Sequence, residues 1–335
     1  MGGTTYHHDD YVTRSTARST SGTPTFAYSD AIRTGKAKRE VHPSMSPRGV
    51  KIRECRDSEA HPISVPITVL NDLTGSMMSV PITLQAKEPE LMGLLLKDRA
   101  TGEKYLGDGY PAIMVAGCDD YFAMGPEGAL QIGQFESGLE IDDNLTNLWL
   151  TGQGGGNWGE SYDLFLYFLA RHTAHDHFEK RHKKGHAFVI ADEPLFDIVS
   201  KKAVKAVIGD DLQDDIPMAQ IIKEVQEKYW LSLIIPNQTS HYGDADLLAR
   251  WKKAIGEQNV LLLDDPTKIC ELLVSTIAMC EGTASLEELT EDDVATGAVR
   301  KALVPLSKTT GKAVAAHSAD GLVPVEGDAA GVSRL

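Results

Sequence analysis

The strongest constraint on the fold is an alternation between two lengths of segment. Five short apolar runs rich in β-branched residues recur through the middle of the chain: PITVL (66–70), AIMVAGC (112–118), HAFVIAD (186–192), LSLIIP (231–236) and NVLLL (259–263). Short continuous runs of this kind fit strands buried on both faces, as parallel sheets require. Between them lie stretches of helical length, around 78–97, 160–175, 196–208, 217–229, 244–255 and 266–281. Strand and helix alternating five times predict a doubly wound α/β fold, a mostly parallel central sheet with helices on both faces. ALQIGQFE (129–136) follows AIMVAGC across a GPEG turn and predicts an antiparallel edge strand.

The 335 residues divide by composition. Residues 1–60, rich in Ser, Thr, Arg and Gly, show no sustained periodicity and read as a partly irregular arm or tail. Residues 61–282 form the α/β domain. SLEELTEDDVATGAVRKALVPL (285–306) has an acidic start and a basic end, in keeping with a helix dipole, and makes 283–306 a helical extension. Residues 307–335 read as a flexible tail. The arm carries ten Lys/Arg against seven Asp/Glu, so the net charge of −15 leaves −18 on the rest. A body that acidic repels a phosphate backbone and argues against nucleic-acid binding. No window approaches eighteen uninterrupted apolar residues, the first twenty lack the apolar centre of a secretory signal, and the four cysteines form no CxxC. A reduced, cytoplasmic protein is expected.

In doubly wound sheets, ligands bind beyond the carboxyl ends of the strands, where strand order reverses. The first run ends in VLNDLTGSM (69–77), placing Asp72, Thr74 and Ser76 on alternate positions at that edge. One carboxylate and two hydroxyls are hard donors, suited to Mg²⁺ or Mn²⁺ rather than zinc, and need help from other loops or water to fill an octahedron. Asp192 ends a later strand on the same edge. TGQGGGNWGESYDLF (151–165) is a glycine-rich loop that offers Thr151, Asn157 and Glu160 as ligands or supporting groups. Asp72 or Thr74 capping a helix N-terminus is the competing reading. Asp119 and Asp120 end the second strand, where they tune the site, attract a second cation, or form a solvated acidic rim.

Together these three stretches resemble the von Willebrand factor A (VWA) family. Asp72-Leu73-Thr74-Gly75-Ser76-Met77 is similar to its Asp-x-Ser/Thr-x-Ser signature in the DxTGSM form. Asp192 is similar to the later metal-site aspartate, and GGGNWGES resembles the glycine-rich loop of many bacterial members. The resemblance spans roughly 60–282 and extends to a bacterial and phage branch with a QFE…GGGN…ES core. It implies a metal-ion-dependent adhesion site in which Thr74 and Ser76 bind the ion directly and Asp72 and Asp192 act largely through water. One position would stay open for a carboxylate from a partner protein. Asn157 stands where a ligating threonine or aspartate is expected, and an amide is a weaker, neutral substitute. By analogy alone, the partner is an AAA+ ATPase of the MoxR type.

Other patterns are set aside. ARHTAHDHFEKRHKKGH (170–186) holds His172, His175, His177, His182 and His186, with His172 and His175 spaced as an i,i+3 helical pair. The neighbouring Arg171, Lys180, Arg181, Lys183 and Lys184 would repel zinc, so a structural or surface role is expected, the basic run serving as a patch for an acidic partner or as the lead-in to the next strand. No Walker loop and no G-x-S-x-G elbow occur. The expected function is a noncatalytic, metal-dependent protein-binding module. A metal-dependent hydrolase using Asp72 and Asp192, and a scaffold with an empty site, are the alternatives.

Overall fold

A computed structural model of the chain describes residues 5–77, 79–153, 159–291 and 293–319. Six strands form one sheet: β1 (Ser64–Asp72), β2 (Tyr110–Cys118), β3 (Leu130–Ile132), β4 (Gly185–Ile190), β5 (Tyr229–Pro236) and β6 (Val260–Leu263), in the order β6-β5-β4-β1-β2-β3. All neighbours are parallel except β2 and β3, which pair antiparallel, with an Ile113–Glu136 bridge continuing that edge. This is the order of a doubly wound VWA/Rossmann-like sheet, with its switch point between β1 and β4. The edge hairpin expected from ALQIGQFE is present.

Side chains alternate between two cores, as the strand pleat dictates. Val65, Ile67 and Val69 of β1 enter one with α1 (Val80–Leu96); Leu70 enters the other with α2 (Tyr162–Arg171). The second core is closed by α3 (Met218–Lys228) and α4 (Ala245–Ile255), the first by α5 (Ile269–Glu281) and α6 (Gly297–Ala319). Short helices add to each face, Glu140–Thr146 to the first core and Lys201–Val207 to the second. Pro66 lacks an N–H for the ladder, and β4 joins β1 only from Ile67 onward, so the missing donor costs no bond there. Cys55, Cys118 and Cys270 are buried, and no disulfide joins the four cysteines. Among the described residues no helix is long and apolar enough to cross a membrane.

Four expectations are corrected. The arm contains a helix, His8–Ser21, none of whose residues is buried, which is why no apolar periodicity betrays it; a second short helix spans Ala27–Arg33. The C-terminal helix begins at Gly297 rather than near 285 and runs to Ala319, beyond the expected start of a flexible tail at 307; residues 320–335 lie outside the described set. The helix expected over 196–208 is confined to Lys201–Val207. His172 and His175 share no helix face, because α2 ends at Arg171 and Thr173–His175 is extended.

Candidate functional site

The register places the oxygen donors. Asp72 sits level with Cys118 of β2, and Asn71 with Ile190 of β4, so Asp119 and Asp192 emerge beside Asp72 on one edge. Past β1 the chain turns sharply: Asp72 Oδ1 accepts the Thr74 amide at 2.9 Å and the Thr74 hydroxyl at 2.5 Å. Asp72 thus fixes its own turn rather than capping α1. Ser76 donates to Asp192 Oδ1 at 2.6 Å, and the Thr74 and Ser76 oxygens lie 3.1 Å apart. A carboxylate–hydroxyl–hydroxyl–carboxylate chain spans the switch point.

Counting protons along that chain is informative. A hydroxyl has one proton and two lone pairs. Thr74 commits its proton to Asp72 and Ser76 commits its own to Asp192, which leaves two acceptor oxygens facing each other. Adjacent ligands of an octahedral Mg²⁺ with bonds of 2.0–2.1 Å are about 2.9 Å apart, close to the spacing observed. Asp72, Thr74 and Asp192 are buried, whereas Ser76 is half-buried and Gly75 exposed, so the cluster opens toward solvent at Gly75–Ser76.

The loop from Leu148 closes one side. The Thr151 hydroxyl reaches Leu73 O at 3.3 Å, Gly152 N donates to the same carbonyl at 3.0 Å, and Gly75 N donates to Gln153 O at 2.5 Å. Asn157 lies outside the described residues. Gly159, at φ +126°, returns the chain beneath the Phe196 ring, where an added Cβ would come within 2.9 Å of Cε1. Glu160 follows, 3 % exposed. Asp119 and Asp120 are fully buried, which overturns the expectation of a solvated rim. Asp120 instead caps a short turn by accepting Phe122 N at 2.8 Å, and Asp119 accepts Asp120 N at 2.6 Å.

Four contributors escape the sequence reading. Tyr162 donates its hydroxyl to Asp72 Oδ2. The His241 amide donates to Asp192 Oδ2 at 3.2 Å, Ser240 donates through both amide and hydroxyl to Ser76 O at 3.0 and 3.1 Å, and Glu193 stands beside the His241 ring at 3.4 Å. The signal for Ser240 and His241 was in the sequence, since NQTSH leaves the carboxyl end of LSLIIP; the edge rule applied to every strand finds them.

The electrostatics are one-sided. Burial, reinforced by Asp72, Asp119, Asp120 and Glu193, pushes Glu160 up to about 10. Burial raises Asp72 to about 7 against the Thr74 and Tyr162 hydrogen bonds that favour its ionised form. Burial likewise raises Asp119 and Glu193. Glu160 Oε2, Asp119 Oδ2 and Glu193 Oε2 find no hydrogen-bond partner among the described residues. Buried carboxylate oxygens without donors are costly, and a divalent cation would supply what they lack. The all-oxygen donor set fits a hard ion such as Mg²⁺ or Mn²⁺. Among the described residues, no group of three or more His, Cys, Asp or Glu is arranged to hold a metal by itself, so the hydroxyls are essential to any such site.

Of the five histidines expected to have a structural or surface role, two are held by contacts within the fold. His172 Nδ1 contacts Val50 O at 2.9 Å and its Nε2 contacts Asp210 at 2.7 Å, while His175 caps the Phe178 amide at 3.1 Å.

No family model matches the chain, and no curated protein matches it. Solved structures that it resembles include proximal thread matrix protein 1 from the mussel byssus (11 % identity, TM-score 0.39, 68 % of this chain and 49 % of that one). A von Willebrand factor type A protein from Catenulispora acidiphila follows at 14 % identity and TM-score 0.37, covering 66 % of this chain and 43 % of the other. The pilus adhesin SpaC from Lactobacillus rhamnosus GG, in its open conformation, gives 9 % identity and TM-score 0.42 over 67 % of this chain and 31 % of that one. The chain spans less than half the length of each.

Proposed function

We propose that the carboxyl edge of the sheet is a Mg²⁺ or Mn²⁺ site through which the protein binds an Asp or Glu side chain of another protein. The observation that carries this reading is the pair of acceptor hydroxyls, Thr74 and Ser76, held 3.1 Å apart between two aspartates. Thr74 and Ser76 would hold the ion; Asp72 and Asp192 would orient them and balance its charge. Thr151, Asp119, Asp120 and Glu160 would line the buried side, and Asn157 is the ligand the resemblance implies for the loop. The bound ion would supply a positive, electrophilic position, and the half-exposed Ser76 side would admit a carboxylate.

A binding role is favoured over hydrolysis by the state of Asp72. Its Oδ1 accepts two donors from Thr74, its Oδ2 accepts Tyr162 and the side chain is fully buried, so Asp72 is committed to holding the turn rather than set against solvent as a general base. The partner class that the family resemblance implies is an AAA+ ATPase of the MoxR type.

Calorimetric titration with Mg²⁺ and Mn²⁺ is expected to show one saturable site in the wild type and none in Ser76→Ala. Heat of binding from neither ion refutes the site. Capture of a MoxR-type ATPase that survives EDTA refutes the ion's role in binding.

A further inference from the structure

We propose that the N-terminal arm is a working part of the cation site, and that Ser29 is the positioning residue through which it acts. The inference rests on the reading of the edge as a cation site and adds a residue far from it in sequence. Residues 148–153 lead into the site, and each side of that segment is held by a different element. On one side Gln131 of β3 pairs reciprocally with Trp149: Trp149 N donates to Gln131 Oε1 at 2.9 Å, and Gln131 Nε2 donates to Trp149 O at 2.8 Å. On the other side the Ser29 hydroxyl donates to Leu148 O at 2.9 Å and accepts Leu150 N at 2.7 Å. Two side chains thus do for this segment what flanking strands do in a sheet.

The lever is short. One residue beyond Leu150, Thr151 meets Leu73 O; Gly152 binds the same carbonyl; Gln153 O takes Gly75 N. Leu73 and Gly75 are the residues between Asp72, Thr74 and Ser76, so the position of 148–150 is transmitted directly to the hydroxyl turn. Both backbone groups that Ser29 serves lose their partner in Ser29→Ala, and the segment is then free to shift away from the arm.

Ser29 is not what holds the arm in place. Arg18 pairs with Asp142 at 2.7 Å, Met45 is fully buried in the main core, and Arg53 N donates to His172 O at 2.7 Å. Removing one hydroxyl therefore leaves the arm docked and isolates its effect on the loop. Sequence reading gave the arm no role in the site because Ser29 and Leu150 lie 121 positions apart.

The test compares wild type, Ser29→Ala and Ser29→Thr in the full chain by Mn²⁺ titration, thermal melting in EDTA, and amide hydrogen exchange. Ser29→Ala is expected to bind Mn²⁺ about tenfold more weakly, with a melting temperature in EDTA within about 2 °C of wild type. Its Leu150–Gln153 amides should exchange at least about tenfold faster while the β5 amides do not change. Ser29→Thr, which keeps the hydroxyl, should recover both. Wild-type affinity and wild-type exchange in Ser29→Ala overturn the inference, as does a loss of affinity matched by a general loss of protection. If the wild type takes up no Mn²⁺, the cation reading falls; the exchange result then still judges whether Ser29 holds the loop.

Discussion

At the amino edge of the sheet, Asp57 takes the Arg181 guanidinium through both oxygens, at 2.8 and 2.9 Å, while Asp176 receives Arg56 at 2.9 Å and Lys180 at 2.7 Å. Glu281, at the end of α5, meets His186 at 3.0 Å. All three carboxyls lie below their usual range: Asp57 through Arg181, and Asp176 and Glu281 through their basic neighbours against the upward push of burial. At the carboxyl edge Asp72, Asp119, Glu160 and Glu193 are all buried, whereas Asp57 and Glu281 at the other end are only partly so, and every one of the four is shifted upward. Desolvation pushes upward at both ends; among the described residues only the amino edge sets a base against each acid. The same sheet has one edge whose charges are balanced from within and another that the cation proposed above would balance.

The most direct way to break that contrast is to remove one group from each end. Asp192→Ala takes away the acceptor that orients Ser76, and the Mg²⁺ affinity measured by calorimetry should fall at least about 100-fold. Arg181→Met at the other end should leave that affinity unchanged and cost about 2 kcal/mol in urea unfolding, because half-buried Asp57 loses its bidentate partner and keeps only Lys180 at 3.3 Å and the Ser64 amide. If Arg181→Met weakens Mg²⁺ binding as much as Asp192→Ala does, the two edges are not independent. A second measurement sharpens the same point: Mg²⁺ at 100 times its dissociation constant should stabilise the wild type by about 2.7 kcal/mol and Asp192→Ala hardly at all.

Legibility in the sequence followed the strength of the local signal. AIMVAGC and LSLIIP could be nothing but buried strands, and their order with the helices fixed the sheet; the hydroxyl turn was readable because Asp72, Thr74 and Ser76 are near neighbours. Of the three readings open for Asp119 and Asp120, the solvated rim fails because burial of an acid depends on what packs over it, which no local pattern announces. The arm helix was missed for the opposite reason. It buries none of its residues and is held by Arg14 and Arg18 on Asp142 and Asp143, contacts between charges more than 120 positions apart. Tyr162 carries no local signal of its role: it packs in the core, and its hydroxyl end reaches Asp72.

The smallest predicted effect tests the electrostatic contrast without touching the cation. A carboxyl raised in the folded state binds its proton more tightly there than in the unfolded chain, so it adds stability at low pH that is lost as pH rises through the folded value. For Asp72, moving from about 4 unfolded to about 7 folded, that window lies between roughly pH 4 and pH 7. Asp57 and Asp176 act in the reverse sense, lending stability above their unfolded values that disappears only as the solution becomes strongly acidic. In EDTA the wild type should therefore lose stability as pH rises from 5 to 7.5, with Asp72 contributing a slope of at most about 1.4 kcal/mol per unit. Asp72→Asn, which cannot ionise, should flatten that slope by up to this amount, whereas Asp57→Asn should leave it unchanged. Saturating Mg²⁺ should flatten it as well, since an ion that favours the charged carboxylate competes with the proton. A urea series at four pH values, with and without the ion, reads all of these slopes. A wild type whose stability in EDTA climbs over the same interval would mean that the carboxyl edge already holds its compensating charge within the chain, and the distinction between the two ends would disappear.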